Sequence, residues 1–345
     1  AHAGIRTFQV APGTEDAEED GVSLRAFRAP AFRALRATLG AWRAYRTALR
    51  TGAQVMHLHD PELLWVGFRL KRKGYRVVYD MHELVTSQIL DKAWLGPMWL
   101  RRSISGAYAR IERRAVRRFD AIVLAESGYA DELLPLYPPW KNKFHVIRNL
   151  PVLSIIDRGR GDERPSDVFT VIYVGGLSRI RGLKEVVDAM ALVEHVRLHL
   201  LGWWESEAFR AVCMASPGWA RTEYLGSVRM DEVYAPMRAA DLGILLMHPL
   251  KNHTTSRPIK IYEYMACEKP MVLSDFPEWK KAFGAYAYFT DPMDVQAIAA
   301  SVKYARDNRQ EGRQRGLQAR EAVVDGLCWE RESEHLVDLY RELSS

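Results

Sequence analysis

The chain is poor in cysteine and has no long apolar run, and each absence narrows what it can be. Its three cysteines, Cys213, Cys267 and Cys328, are odd in number, far apart and without a histidine at metal-binding spacing. They fit a reducing compartment and are expected to be packing residues. No stretch of about 18 or more uncharged apolar residues occurs, so no membrane span is predicted. The sequence also shows no solenoid-period repeat and no low-complexity tract.

Composition and charge describe a globular protein with one basic half. Of the 345 residues, 48% are apolar and 27% are charged, and the length suggests two domains. Residues 1–150 contain 24 Lys and Arg against 15 Asp and Glu, whereas the remainder contains 25 against 28. The basic half is therefore expected to meet a polyanionic surface.

Strand and helix patterns alternate along most of the chain. Strands are predicted at 5–10, 22–27, 54–59, 75–80, 120–124 and 144–147, and then at 169–174, 196–201, 222–225, 242–246, 271–273 and 286–289. Helical stretches include 30–50, 61–73, 97–118 and 127–134, and helices at 293–307, 309–324 and 330–343 close the chain. This alternation predicts an α/β fold of two doubly wound, Rossmann-like domains facing one another across a cleft.

A change of composition divides the two series. Residues 150–167 are rich in Arg, Gly, Asp and Pro, which is typical of an interdomain linker. We place the domains at 1–155 and 166–328. The C-terminal helix, 329–345, is expected to pack back on the first domain.

Two helical segments of the first half combine arginine with aromatic residues. They cover residues 28–50 and 94–118, and the second contains Trp94, Trp99 and seven arginines between positions 101 and 118. A cationic, tryptophan-bearing helix can lie in the headgroup region of an anionic membrane. Alternatively, the apolar faces pack on the sheet and the arginines are solvated. Nucleic-acid binding would use the same charges, but no recognisable nucleic-acid-binding motif accompanies them.

The stretch 256–266 predicts a helix that begins with an anion site. Ser256 can cap it, and Pro258 falls in the first turn, where a missing N–H costs nothing. The N–H groups around Ile259 are free to bind an anion, and Glu263 is the carboxylate of an otherwise apolar run. An ordinary packed helix with a solvated Glu263 is the alternative.

A second motif joins a strand to a helix through paired glycines. Gly175 and Gly176 let the backbone approach a bulky anion, and Arg179 and Arg181 supply charge for phosphate oxygens. The pattern is neither G-x-G-x-x-G nor a P-loop. A structural turn with two surface arginines is the alternative.

Together these motifs resemble the GT-B-fold glycosyltransferases of family 4, of the bacterial group 1 type. The glycine motif is similar to the opening of that family's second domain, and residues 258–270 are similar to its nucleotide-sugar helix. Segments 59–64, 78–83 and 239–244 also resemble the family, in the family's order. The likeness extends over roughly residues 55 to 280.

The resemblance implies a retaining transferase that takes a sugar from a nucleotide diphosphate without a bound metal or other cofactor. It implies catalytic roles for His82, at the donor sugar, and for Arg179 and Arg181, at the diphosphate. It also implies that Glu263 binds the ribose hydroxyls of the donor. The substrate-binding residues are then Gly175, Gly176, Gly202, Gly226, Ser256, Arg257, Pro258, Ile259 and Glu263. We expect no metal ligands, because His57, His59 and His82 lack a reliable metal spacing.

Three departures from the family pattern concern the donor. Thr255 stands where a first glutamate is usual, Gly176 replaces a common arginine, and Arg181 replaces a lysine. Gly176 makes Arg179 the expected substitute cation. A strand–turn–helix unit that normally precedes a segment like 4–12 is also missing, so we expect Ala1 to be an internal start.

The resemblance and the charge predict partners as well. They are a nucleotide-sugar donor, a glycan or lipid-linked glycan acceptor and an anionic membrane surface, for a cytoplasmic enzyme of polysaccharide synthesis. Two rival functions stay open. One is a nucleotide-sugar epimerase of the same fold, for which Asp80, His82 and Glu83 are the acid–base candidates. The other is a catalytically silent nucleotide-sugar-binding protein.

Overall fold

The computed structural model describes residues 3–32, 35–161 and 168–345. The chain forms two compact units, Ala1–Arg148 with Ser333–Ser345, and Asn149–Glu332. Arg33 of the first basic segment and residues 162–167 of the predicted linker lie outside the described residues. Among the described residues, no helix combines the length and the apolar character needed to cross a bilayer.

The start of the first unit differs from the prediction. The chain begins with a separate three-stranded sheet of order β1-β3-β2, formed by β1 (Thr7–Pro12), β2 (Ala17–Glu19) and β3 (Val22–Phe27). Strand β1 pairs parallel with β3, and β2 pairs antiparallel with β3. Strand β2 lies between the predicted strands 5–10 and 22–27, in an acidic stretch for which the sequence predicts no strand. Its three residues, Ala-Glu-Glu, are all exposed and show no apolar–polar alternation that would indicate a strand.

A parallel sheet forms the centre of the first unit. Its order is β4-β5-β6-β7, the order of the chain, and its register aligns Leu58 with Tyr79. The strands are β4 (Val55–Leu58), β5 (Arg76–Met81), β6 (Ala121–Leu124) and β7 (Phe144–Val146). The helices are α1 (Ala41–Ala48), α2 (Leu64–Arg72), α3 (Val85–Asp91), α4 (Met98–Arg118) and α5 (Ser127–Leu133).

The second unit is a doubly wound domain with a reversal of strand order. Its six parallel strands run β10-β9-β8-β11-β12-β13. They are β8 (Phe169–Val174), β9 (Val196–Leu201), β10 (Thr222–Tyr224), β11 (Leu242–Leu245), β12 (Met271–Ser274) and β13 (Ala287–Thr290). The order reverses between β8 and β11, and in such sheets ligands bind outside the carboxyl ends at that point. The α/β, Rossmann-like fold class is confirmed.

Ten α-helices follow the first unit's sheet among the described residues. They are α6 (Leu153–Ile156), α7 (Leu183–Met190), α8 (Glu207–Met214), α9 (Tyr234–Ala239), α10 (Lys251–Thr255), α11 (Ile259–Ala266), α12 (Pro277–Phe283), α13 (Val295–Asp307), α14 (Arg309–Gly326) and α15 (Trp329–Ser344). Helix α15 begins in the second unit, but residues from Ser333 onward belong to the first.

Helix α4 carries a buried acid into the first unit. Glu112 is 6% exposed, and the Tyr137 hydroxyl donates a hydrogen bond of 3.0 Å to its carboxyl oxygen. Burial raises the pKa of Glu112, and the Tyr137 hydrogen bond only partly opposes this. Because the folded pKa lies above the unfolded one, this group's contribution to stability is complete below the unfolded pKa and is lost as pH rises through the folded pKa.

We therefore expect Glu112→Gln to gain stability relative to the wild type as pH rises from 4 to 8. The amide keeps an oxygen for Tyr137 but has no charge to bury. Urea unfolding at several pH values measures the difference, with the exposed Glu132→Gln as the control. A difference that is flat across this pH range would contradict the buried-acid explanation.

Candidate active site

Glycines at three neighbouring strand ends form a tightly packed edge of the second sheet. Gly175 follows β8 and Gly202 follows β9, with φ of 142° and 143°, where side chains are strained. A Cβ on Gly202 would lie 1.8 Å from the Gly175 carbonyl oxygen. The Gly202 N–H donates to the Gly226 carbonyl at 2.9 Å, so the three strand ends are held together. Only glycine at position 202 permits this approach.

The two predicted phosphate arginines occupy different places. The Arg181 guanidinium lies against the paired glycines, since its Nη1 is 3.3 Å from the Cβ position of each. Arg179 instead places its guanidinium over the Phe209 ring, 4.9 Å from the centroid. Its N–H also donates to Glu205. Gly176 thus leaves the space that Arg181 fills, whereas the Arg179 guanidinium lies on Phe209; which of the two serves as the substitute cation stays a prediction.

A buried hydroxyl lies where the sheet order reverses. Pairing between β11 and β8 ends at Gly243 and Ile172, and beyond it the Tyr264 hydroxyl accepts from the Val174 N–H at 3.1 Å and donates to the Ile172 carbonyl at 3.1 Å. Tyr264 is fully buried, and burial raises its pKa well above the ordinary value. The protonated hydroxyl therefore replaces a missing strand partner at the switch point.

Helix α11 begins later than predicted. It starts at Ile259, after Pro258, and no side chain caps it. Ser256 ends the preceding short helix, and its carbonyl accepts from the Trp279 indole at 2.7 Å. The prediction that Ser256 caps the helix is wrong, because the extended residues 256–258 separate it from the first turn. Arg257 lies 3.9 Å from Glu278.

Glu263 is a buried carboxylate with two polar neighbours. Its residue is 1% exposed, its Oε1 accepts from the Tyr234 hydroxyl at 3.4 Å, and its Oε2 forms an ion pair with Lys260. The alternative of a solvated Glu263 is excluded. The binding of ribose by Glu263 stays a prediction. It requires the ion pair between Lys260 and Glu263 to open, so that the carboxylate can accept hydrogen bonds from the ribose hydroxyls.

In the first unit, His82 belongs to a cluster at the carboxyl ends of β4 and β5. Three imidazole nitrogens surround Asp80 Oδ2: His57 Nε2 at 3.3 Å, His59 Nδ1 at 3.3 Å and His82 Nε2 at 3.4 Å. Burial would raise the pKa of Asp80, but His57 and His59 outweigh it and hold that pKa well below the usual range. Burial lowers the pKa of His57, with Asp80 opposing.

Sequence reasoning missed several residues around the second-unit site. They are Tyr264, Lys260 and Tyr173, whose hydroxyl donates to the Gly176 carbonyl at 3.0 Å. Trp203 and Trp204 follow β9, where the sequence allows either core packing or stacking on a base; Trp204 packs against the core, whereas Trp203 is 65% exposed beside Gly176.

Comparison with known proteins places this chain in a family. A glycosyl transferase 4-like domain matches residues 2–149, and a glycosyl transferases group 1 domain matches residues 168–308. The chain belongs to the group 1 glycosyltransferases. It is therefore a nucleotide-sugar-dependent transferase of the GT-B fold.

Several relatives resemble this glycosyltransferase at low identity. Alpha-maltose-1-phosphate synthase of Mycolicibacterium smegmatis is 25% identical over 309 residues, which cover 78% of this chain and 75% of that protein. The structure of sucrose-phosphate synthase from Thermosynechococcus elongatus matches with a TM-score of 0.79 at 16% identity, over 99% of this chain and 90% of that one. The structure of HepE from Anabaena, in complex with UDP and glucose, matches with a TM-score of 0.69 at 16% identity, over 93% of this chain and 86% of the HepE chain. At such identities the two structures show a shared fold.

We expect Tyr264→Phe to destabilise the transferase by about 1–3 kcal/mol, because it leaves the buried Val174 N–H without its hydroxyl partner and removes one donor from the Ile172 carbonyl. Tyr304→Phe is the matched control, since its hydroxyl donates to Glu311 on the surface, and a change within about 0.5 kcal/mol is expected. Urea midpoints measure both. Equal effects would show that the switch-point hydrogen bonds contribute nothing of their own.

Proposed function

We propose that this glycosyltransferase is a retaining enzyme that moves a sugar from a nucleotide diphosphate to a glycan or lipid-linked glycan acceptor, without a metal. The observation that carries the proposal is the Arg181 guanidinium over the paired glycines at the switch point. A diphosphate leaving group gains negative charge in the transition state, and a fixed cation there lowers the barrier. No Asp-x-Asp motif is present to hold a metal for that task.

Two neighbours help Arg181 to bind an anion, because one stays uncharged and the other fixes the position of the turn. The Tyr173 hydroxyl beneath it stays protonated, because burial raises the pKa of Tyr173 to about 12, with Arg181 opposing. Gly182, at φ 62°, has room for no side chain, since its Cβ would lie 2.5 Å from the Leu246 carbonyl. This contact fixes the turn that carries Arg181 against the loop after β11.

The remaining roles follow the predicted assignment. Glu263, from the same helix as Tyr264, binds the ribose diol, for which an ionised carboxylate offers two acceptors. The N–H groups at the start of α11 contribute to the diphosphate site. His82, whose side chain is 52% exposed, hydrogen-bonds the donor sugar. Trp203 offers an exposed ring for the base.

Uridine diphosphate glucose is the first donor to test. Structures of HepE contain UDP and UDP-glucose, and a trehalose-6-phosphate synthase structure from E. coli contains UDP-2-fluoro glucose. For this chain the uracil base and the glucose are a proposal, supported by the shared fold and the donor-side motif.

The acceptor is proposed to lie at an anionic membrane surface, on the cytoplasmic side, in bacterial cell-surface polysaccharide synthesis. Trp94 and Trp99 are 79% and 68% exposed, and Met98 is 44% exposed. Along α4 a groove of about 670 Å³ is lined by Arg110, Arg113, Arg114, Arg117, Arg118 and Trp140. Aromatic rings followed by dense positive charge suit lipid headgroups.

Removing the charge at position 181 should weaken UDP binding by about 10- to 100-fold, the effect of losing hydrogen bonds to a charged partner. Calorimetry with UDP, in EDTA, compares Arg181→Met with Arg181→Lys, which keeps the charge and should retain most of the affinity. Arg179→Met should have a smaller effect, because its guanidinium lies on Phe209. If Arg179→Met is the more damaging variant, the assignment of the cation is wrong.

Product analysis separates the three functional hypotheses, two of them enzymes and one a silent binding protein. Donor with acceptor, in EDTA, should give a glycoside that keeps the anomeric configuration of the donor. A converted sugar nucleotide from donor alone would favour an epimerase. Tight donor binding with neither transfer nor slow donor hydrolysis would favour a silent binding protein.

Sedimentation with vesicles tests the membrane proposal. Arg113→Gln with Arg117→Gln should weaken binding to anionic vesicles by about 1 kcal/mol per charge and should not affect neutral vesicles. Arg197→Gln with Arg210→Gln, which removes the same charge from the second unit, is the control. Equal losses in the two double variants would show that net charge, and not the α4 groove, directs binding.

A further inference from the structure

We infer that His57, His59 and Asp80 form a site for a divalent transition metal of the zinc type. The inference concerns the first unit and does not rest on the proposed transfer reaction. One ligand atom of each residue lies within 4.8 Å of the other two. Strand register brings them together, because parallel pairing aligns β4 with β5 and places the ends of both strands at one edge.

The distances within the cluster fit a metal site. Zinc ligands lie about 2.0–2.1 Å from the metal, so neighbouring atoms of a tetrahedral set are about 3.3–3.4 Å apart. Asp80 Oδ2 is 3.3 Å from His57 Nε2 and from His59 Nδ1, and 3.4 Å from His82 Nε2. His59 Nδ1 and His82 Nε2 are 3.4 Å apart. A cation at the centre would need little movement of these side chains.

Hydrogen bonding alone does not account for the cluster. Asp80 is 8% exposed, and its Oδ1 is buried without a hydrogen-bond partner among the described residues. His57 Nε2 is likewise unpartnered, although Asp80 Oδ2 lies 3.3 Å away. Oδ1 is not the oxygen on which the imidazoles converge, so His57 Nε2 is the atom that indicates a cation: an unpaired buried nitrogen is costly, and a cation between it and Asp80 Oδ2 would give it a partner.

Tyr340 supplies the outer contact that metal-bound histidines usually have. Its hydroxyl lies 2.5 Å from His57 Nδ1. If Nδ1–H donates to that oxygen, the lone pair of Nε2 is directed into the cluster, where a metal can accept it. His59 and His82 have side chains 62% and 52% exposed, so a metal can enter from their side and keep a fourth position open there.

Equilibrium zinc binding by tag-free, full-length protein tests the site. Competition with a chromophoric chelator should show one high-affinity Zn²⁺ per chain, and Co²⁺ should give the visible bands of four-coordinate cobalt. His59→Gln should weaken binding at least about 10-fold, and Tyr340→Phe should weaken it by about 10-fold, because the Tyr340 hydroxyl no longer holds His57 Nδ1. His195→Asn, which removes a histidine from the second unit at a residue with φ of 55°, should bind as the wild type does.

Two results would overturn the inference. One is wild-type protein without saturable Zn²⁺ binding. The other is His59→Gln protein that binds Zn²⁺ as tightly as His195→Asn. His59 is exposed, so its variant is expected to fold even where Asp80→Asn does not, and thermal unfolding of each variant with and without Zn²⁺ verifies this.

Discussion

The hydroxyl of Tyr264 is the contact on which the switch point of the second sheet depends. Strands β8 and β11 pair over only two residue positions, and the sheet then divides. A divided sheet leaves buried backbone groups without partners, and each costs free energy comparable to a lost hydrogen bond. Tyr264 satisfies the Val174 N–H and the Ile172 carbonyl, so the strands can diverge at the switch point.

The same helix thereby links the sheet to the site. Glu263 and Tyr264 are neighbours in α11, so fixing one side chain in the sheet fixes the direction of the other. Gly243 makes this possible, because a Cβ there would lie 2.8 Å from the Tyr264 ring. Across the gap, Gly202 and Gly175 bring two backbones together, and Arg181 occupies the space above the paired glycines. Small residues at or near the strand ends thus create the room that the Arg181 guanidinium and the Tyr264 ring use.

Much of this arrangement was predictable from sequence, because strand periodicity and paired glycines are local signals. The strands of both parallel sheets lie close to their predicted positions, and the glycines are where the backbone needs them. The errors have non-local causes. The strand Ala17–Glu19 is fully exposed and shows no alternation, so only pairing with β3 defines it. Serine is a residue type that commonly caps helices, but the hydrogen bond from the Trp279 indole to the Ser256 carbonyl holds the backbone of Ser256 extended.

The histidine cluster shows why spacing along the chain is a weak guide to side-chain constellations. His59 and His82 are far apart in sequence and do not resemble a metal motif, yet parallel register places them 3.4 Å apart. The carboxyl ends of parallel strands gather side chains in both units, but the chemistry differs. In the second unit they present glycine and arginine, which suit an anion; in the first they present imidazole and carboxylate, which suit a cation. One topological rule therefore gathers side chains of opposite chemical preference in the two units, and residue type at the strand ends decides which.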